Sequence, residues 1–145
     1  MRFLEGKRKA MMKQRAILLL IVLFSFACKK EKGAGIPAQG VLTTGTWYVS
    51  KFMDSGTDET YIFEEYTFVF NTNGELTATC IYGTTIGSWY AEDDDDGTDE
   101  FRIALGNVAP LDKLSKRWHI RSESSTEVEF YDDDNSDEEV TFMKR

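Results

Sequence analysis

The side chains able to do chemistry in this sequence are few, and most lie in acidic runs. Glu92-Asp93-Asp94-Asp95-Asp96-Gly97 puts acids at the first, third and fifth positions of a calcium-loop pattern, with glycine at the sixth. The twelfth position, where a bidentate Glu belongs, is Ile103, so the loop cannot wrap an ion in that way. Asp132-Asp133-Asp134-Asn135-Ser136-Asp137 lacks the glycine altogether. Both runs read as solvated hairpin turns, and Asp54 to Thr60, with Ser55-Gly56 at its centre, reads as a hydrogen-bonded turn. His119 is the one histidine, so a multi-histidine metal site is excluded. It follows Trp118, and on a strand the two would face opposite sides. Acid–base work by paired carboxylates needs one desolvated member, and the acids here sit in polar runs. The expectation is therefore no enzyme activity, no catalytic residues, no metal and no cofactor.

The elements that could position these groups begin with an export signal. Arg2, Lys7, Arg8, Lys9, Lys13 and Arg15 form a basic segment, and Ala16 to Ala27 is almost wholly apolar. Such a run rises only about 18 Å as a helix, too little for a bilayer of about 30 Å. It reads as a signal-peptide core, and Met11 or Met12 is a more ordinary start than Met1. Ser25-Phe26-Ala27-Cys28 resembles a bacterial lipobox, with Cys28 as the lipidated first residue of the mature chain. Leu is usual where Ser25 stands, and a small residue where Phe26 stands. The domains expected are 1–27 as lipoprotein signal peptide, 28–40 as flexible tether and 41–145 as folded domain. Acylation at Cys28 implies a membrane partner and attachment to a bacterial outer membrane, on its periplasmic or cell-surface face.

Removing residues 1–27 takes away six of the 17 basic residues and one of the 25 acidic ones, leaving 11 against 24, a net charge of −13. A surface so acidic repels nucleic acid, which is excluded as a partner. With Cys28 acylated, Cys80 has no partner for an intramolecular disulfide and reads as a small buried hydrophobe.

Within 41–145 the apolar pattern has period two. Runs begin with Trp47 to Phe52, where Trp47, Val49 and Lys51 should share one face. They continue through Tyr66-Phe68-Phe70, Leu76 to Tyr82, Ile86 to Ala91, Phe101-Ile103-Leu105, Trp118-Ile120, Val128-Phe130 and Val140-Phe142. Aromatic and β-branched residues dominate them, and Asn71-Thr72-Asn73-Gly74, Gly83, Gly106-Asn107 and the acidic runs separate them. Only Leu111-Asp112-Lys113-Leu114 reads as a helical turn. The fold expected is all-β: an eight-stranded antiparallel meander closed into a barrel, with no long helix. Gly45-Thr46-Trp47 and Gly87-Ser88-Trp89 echo one another as strand openings, each Trp plugging an end.

Gly45-Thr46-Trp47 resembles the Gly-x-Trp signature that opens lipocalins. Together with the lipobox, the tether, the loop from Asp54 to Thr60, Gly87-Ser88-Trp89 and the terminal Val140 to Arg145, it resembles the lipocalin-like lipoproteins of Bacteroidetes-type bacteria. The resemblance implies the eight-stranded barrel and, for most members, no assigned activity. It also implies a basic residue over the first-strand Trp, for which Lys144 or Arg145 is the candidate. Two functions fit. A filled barrel would act through its surface on an envelope protein or glycan. A hollow one would hold a small apolar ligand, lined by Trp47, Phe68, Phe70, Phe101, Ile103, Trp118 and Phe130. Short strands and bulky inward aromatics favour filling.

Overall fold

The structure, a computed structural model, describes residues 37–93 and 99–145. The signal peptide, Cys28, the start of the tether and residues 94–98 of the first acidic run lie outside the described residues.

Eight principal strands form the barrel: β1 (Trp47–Asp54), β3 (Thr67–Phe70), β4 (Glu75–Cys80), β5 (Gly83–Asp93), β6 (Asp99–Ala104), β7 (Arg117–Glu123), β8 (Glu127–Tyr131) and β9 (Glu139–Lys144). Each pairs antiparallel with the next, and β9 closes on β1 from Trp47↔Lys144 to Met53↔Glu139. The two-residue β2 (Thr57–Asp58) only extends β1 through a tight hairpin, in which Ser55 and Gly56 both take positive φ, as a type I′ turn requires. Each of the eight period-two runs between residues 41 and 145 overlaps one of the eight strands.

The alternation breaks once. A register shift between Val49 and Lys51 on β1 resets the phase. Trp47 and Val49 point inward as expected, but then Phe52 is buried and Lys51 exposed. A bulge adds one residue to one strand, and that single residue moves the rest of β1 to the other face. Tyr82, expected at the end of the run from Leu76, lies beyond β4 and is 88% exposed at the β4–β5 turn beside Ile81.

A short helix, α1 (Pro37–Leu42), covers the end of the barrel where β1 starts. Its residues Pro37 to Gly40 were expected in the tether, but Ala38 and Leu42 are fully buried in the core, so Pro37 to Gly40 belong to the folded domain. A 3-10 turn over Leu111–Leu114, at the expected place, covers the opposite end, and a second one runs over Thr60–Phe63. The three tryptophans fasten these ends. Trp47 Nε1–H donates to Leu42 O at 2.9 Å, Trp89 Nε1–H to Asn71 O at 3.0 Å, and Trp118 Nε1–H to Leu114 O at 3.0 Å. Each large apolar ring is thus buried without stranding its N–H.

Both Gly-x-Trp openings have a steric reason. Gly45 has φ +103, and a Cβ there would lie 2.7 Å from Lys144 Cε. That close approach lets the Lys144 ammonium lie 5.9 Å over the Trp47 ring while donating to Thr44 Oγ1 at 3.0 Å. Of the two basic candidates, Lys144 is therefore the one over the tryptophan. At Gly87 a Cβ would collide with the Ala104 carbonyl oxygen, at 2.1 Å.

Candidate functional site

The seven residues expected to line the barrel all lie in its core, from Trp47 on β1 round to Phe130 on β8. They pack on one another. Phe101 on β6 and Phe130 on β8 have ring centroids 4.8 Å apart, and Phe70 on β3 reaches Phe101 at 6.1 Å and Phe142 at 5.5 Å. Phe68 meets Phe142 edge-on at 5.3 Å. These strands are not neighbours, so the rings meet across the middle in the tilted and edge-to-face arrangements aromatic pairs favour. Phe142 and Phe52, absent from the expected lining, belong to the same cluster.

Outside the barrel, β6, β7 and β8 build a polar cleft of about 400 Å³. On β6, Phe101 and Ile103 face inward, which turns Glu100 and Arg102 outward. On β7, Trp118 faces inward and Arg117 and His119 outward, as alternation requires. Register then aligns Glu100, His119 and Tyr131 across three strands, and sets Arg102 directly opposite Arg117. Lys116 and the turn from Asp132 to Asp134 close the cleft toward the barrel end covered by Leu111–Leu114.

Charges in the cleft are partly committed. Lys116 bonds Asp132 at 3.0 Å and also pairs with Glu138, and its ammonium lies 5.0 Å over Trp118. Burial raises the Asp132 pKa, but Lys116 and the backbone N–H of Asp134 outweigh it and hold the carboxyl below its ordinary range. Arg117 reaches Glu100 at 3.3 Å. The His119 ring lies 5.5 Å from that of Tyr131, and its Nδ1 is buried without a hydrogen-bond partner. The Ser115 hydroxyl donates to Leu111 O at 3.0 Å and accepts from Leu105 N–H at 2.9 Å, so it fixes the 3-10 turn rather than standing beside the histidine as a nucleophile.

His119, expected only to face away from Trp118, and the run from Asp132, expected as a solvated turn, both line this cleft. The available signal was the outward row of Glu100, Arg102, Arg117 and His119, interleaved with buried Phe101, Ile103 and Trp118. The loop from Asp54 to Thr60 is hydrogen-bonded, as expected: Asp58 Oδ1 accepts from the Thr60 hydroxyl at 2.6 Å, and Phe52 N–H donates to Thr60 Oγ1 at 2.9 Å. Its Asp54 and Glu59 also pair with Lys113 of the 3-10 turn, Asp54 at 2.6 Å. Cys80 is free and half-buried rather than buried. Among the described residues no group of three or more metal-ligating side chains occurs.

A second, shallower cleft of about 470 Å³ lies beside Tyr48, Ser50, Glu64 and Arg145. It flanks the weakest seam of the barrel, where β1 and β3 share only the pair Trp47↔Phe68.

The same barrel occurs in Bacteroides. The chain is similar to the crystal structure of a DUF4847 family protein from Bacteroides vulgatus, with TM-score 0.51 and 14% identity, covering 74% of this chain and 97% of that one. At that identity the likeness carries the fold alone. Together with the eight-stranded barrel it fits a Bacteroidetes-type barrel protein. No family model and no curated protein matches the chain.

Proposed function

We propose that this is a lipocalin-like envelope lipoprotein, anchored through Cys28 to the outer membrane, which acts without enzymatic turnover through the outside of a filled barrel on a glycan or envelope protein. The observation that carries the reading is the contact of Phe101 with Phe130 at 4.8 Å, joined by Phe70 and Phe142, in the space an enclosed apolar ligand would need. An eight-stranded barrel is just wide enough either to fill with side chains or to hold one ligand, and here side chains meet across it. Recognition then falls to the outer cleft on β6, β7 and β8. Anchoring rests on the lipobox-like Ser25 to Cys28. From Cys28 to Pro37 the chain reaches about 30 Å at full extension, enough to hold the domain clear of the headgroups.

Two measurements test this. Labelling cells with a fatty-acid probe should mark the wild-type chain and not the Cys28→Ser variant. Organic extraction of the purified protein should release no stoichiometric apolar compound from the barrel. Label persisting on the Ser variant sinks the anchor, and a stoichiometric extracted compound sinks the filled-barrel reading.

A further inference from the structure

We propose that the outer cleft binds an acidic saccharide, with the carboxylate of a uronic acid held by Arg102 beside Arg117 and the sugar hydroxyls held by Asp132, Asp133 and Asp134. The inference rests on the surface reading above and names the ligand class for that site.

The argument starts from a cost. Directly opposed side chains on antiparallel strands have Cβ atoms about 5 Å apart, and like charges there are destabilising. Arg102 and Arg117 are such a pair. Glu100 offsets Arg117, but among the described residues Arg102 has neither hydrogen bond nor ion pair. The other two cations of the cleft, Lys116 and Arg117, each carry an ion pair. Arg102 is also only partly exposed, and nothing in the fold pairs its guanidinium. A carboxylate would pair it, because the planar fork of donors matches a carboxylate bidentately.

The rest of the cleft limits what can carry that carboxylate. Asp132, Asp133 and Asp134 line the same cleft, so a polyanion such as a phosphate ester would be repelled. A ligand with one negative charge and many hydroxyl donors suits both the arginines and the aspartates, since ionised carboxylates are acceptors only. Among the described residues no aliphatic side chain lines the cleft, which disfavours a peptide needing an apolar anchor pocket. A volume of about 400 Å³ suits one or two sugar rings.

The test titrates the full chain, extracted in detergent, with glucuronate, glucose and glycylglycine in separate calorimetric experiments. Glucuronate should bind saturably, and glucose should bind at least about tenfold more weakly, as expected for loss of a charge-assisted contact. Arg102→Gln should remove the preference for glucuronate while leaving the melting temperature unchanged or slightly raised, because that side chain has no partner to lose and its removal relieves the opposition to Arg117. Arg102→Lys, which keeps the charge without the fork, should restore part of it. Absence of saturable glucuronate binding, equal affinity for glucose, tighter binding of glycylglycine, or an Arg102→Gln variant that still prefers glucuronate would each overturn the proposal. The surface reading fails separately, by the extraction of a barrel-bound apolar compound, whatever glucuronate does.

Discussion

The two ends of the barrel are closed by the same device and locked by different chemistry. At the end where β1 starts, Trp47 donates its N–H to Leu42 O, and α1 is held by the buried Ala38 and Leu42 with no side-chain ion pair among the described residues. At the other end, Trp118 donates to Leu114 O, and the 3-10 turn it supports is tied down by Lys113 on Asp54 and Glu59. Lys116 extends the tie to Asp132 and Glu138. An apolar lock responds little to salt or pH, whereas a charged one weakens with both. One molecule should therefore show an acid-sensitive end and an acid-indifferent one.

The largest test of that contrast removes the shared device. Trp118→Ala and Trp47→Ala should each cost about 3–5 kcal/mol by urea denaturation, through lost burial and a new cavity. Both indoles are fully buried, so the two costs should agree within the scatter of such substitutions. A loss under about 1 kcal/mol at Trp47 would show that α1 is a dispensable cover and that the two ends are not equivalent closures.

Gly45→Ala probes the apolar end alone. The new methyl needs φ +103, which an L side chain rarely adopts, and meets Lys144 Cε at 2.7 Å. The cost should be about 1–3 kcal/mol, the usual range for a strained backbone position. Adding Lys144→Ala should recover the part due to collision and leave the part due to φ. Full recovery would mean that the backbone carries no strain, and that Gly45 serves only to seat Lys144 over Trp47.

How far these ends were legible in the sequence depends on how local each cause is. The eight strands were readable because alternation is written in consecutive residues, from Tyr66-Phe68-Phe70 to Val140-Phe142. The 3-10 turn after Pro110 was readable for the same reason. Phe52 was misplaced because a bulge at Ser50 depends on the register with β9, which no local pattern records. Pro37 to Gly40 were read as tether because two small or flexible residues, Ala38 and Gly40, look like linker until Ala38 meets the core. The cleft was missed for a geometric reason: Glu100, His119 and Tyr131 come from three strands and become neighbours only through register. Lys113 likewise gave no sign of its pairing with Asp54, 59 residues away in sequence.

Lys113→Met addresses the charged end at smaller scale. The bond to Lys113 is the main cause holding the Asp54 carboxyl below its ordinary range, so Asp54 binds protons less readily folded than unfolded. Its stability contribution is present above the unfolded pKa, about 3.9, and is lost as pH falls through the lower folded value. The variant should lose at most about 1 kcal/mol at pH 7, since the pair is about a third exposed, and less at pH 2, below the unfolded pKa. An equal loss at both pH values would mean that Lys113 acts through its aliphatic stem rather than its charge.

Glu123→Gln should have the smallest effect and the opposite sign. Glu123 ends β7 on the α1 side, and its pKa is raised, first by desolvation and then by Asp99. A raised folded pKa means that the native state takes up a proton more readily than the unfolded chain. Stability from this group is present at low pH and lost as pH rises from the unfolded value near 4.3 through the folded one. Removing the charge should therefore raise the melting temperature slightly at pH 7, by less than about 0.5 kcal/mol in stability because the residue is exposed and screened. At pH 3 wild type and variant should melt together. The contrast with Lys113→Met is one of sign at neutral pH, and both effects diminish in acid. A destabilising Glu123→Gln at pH 7 would show that this carboxylate is an accepting partner at the α1 end, and that both ends are held by charge after all.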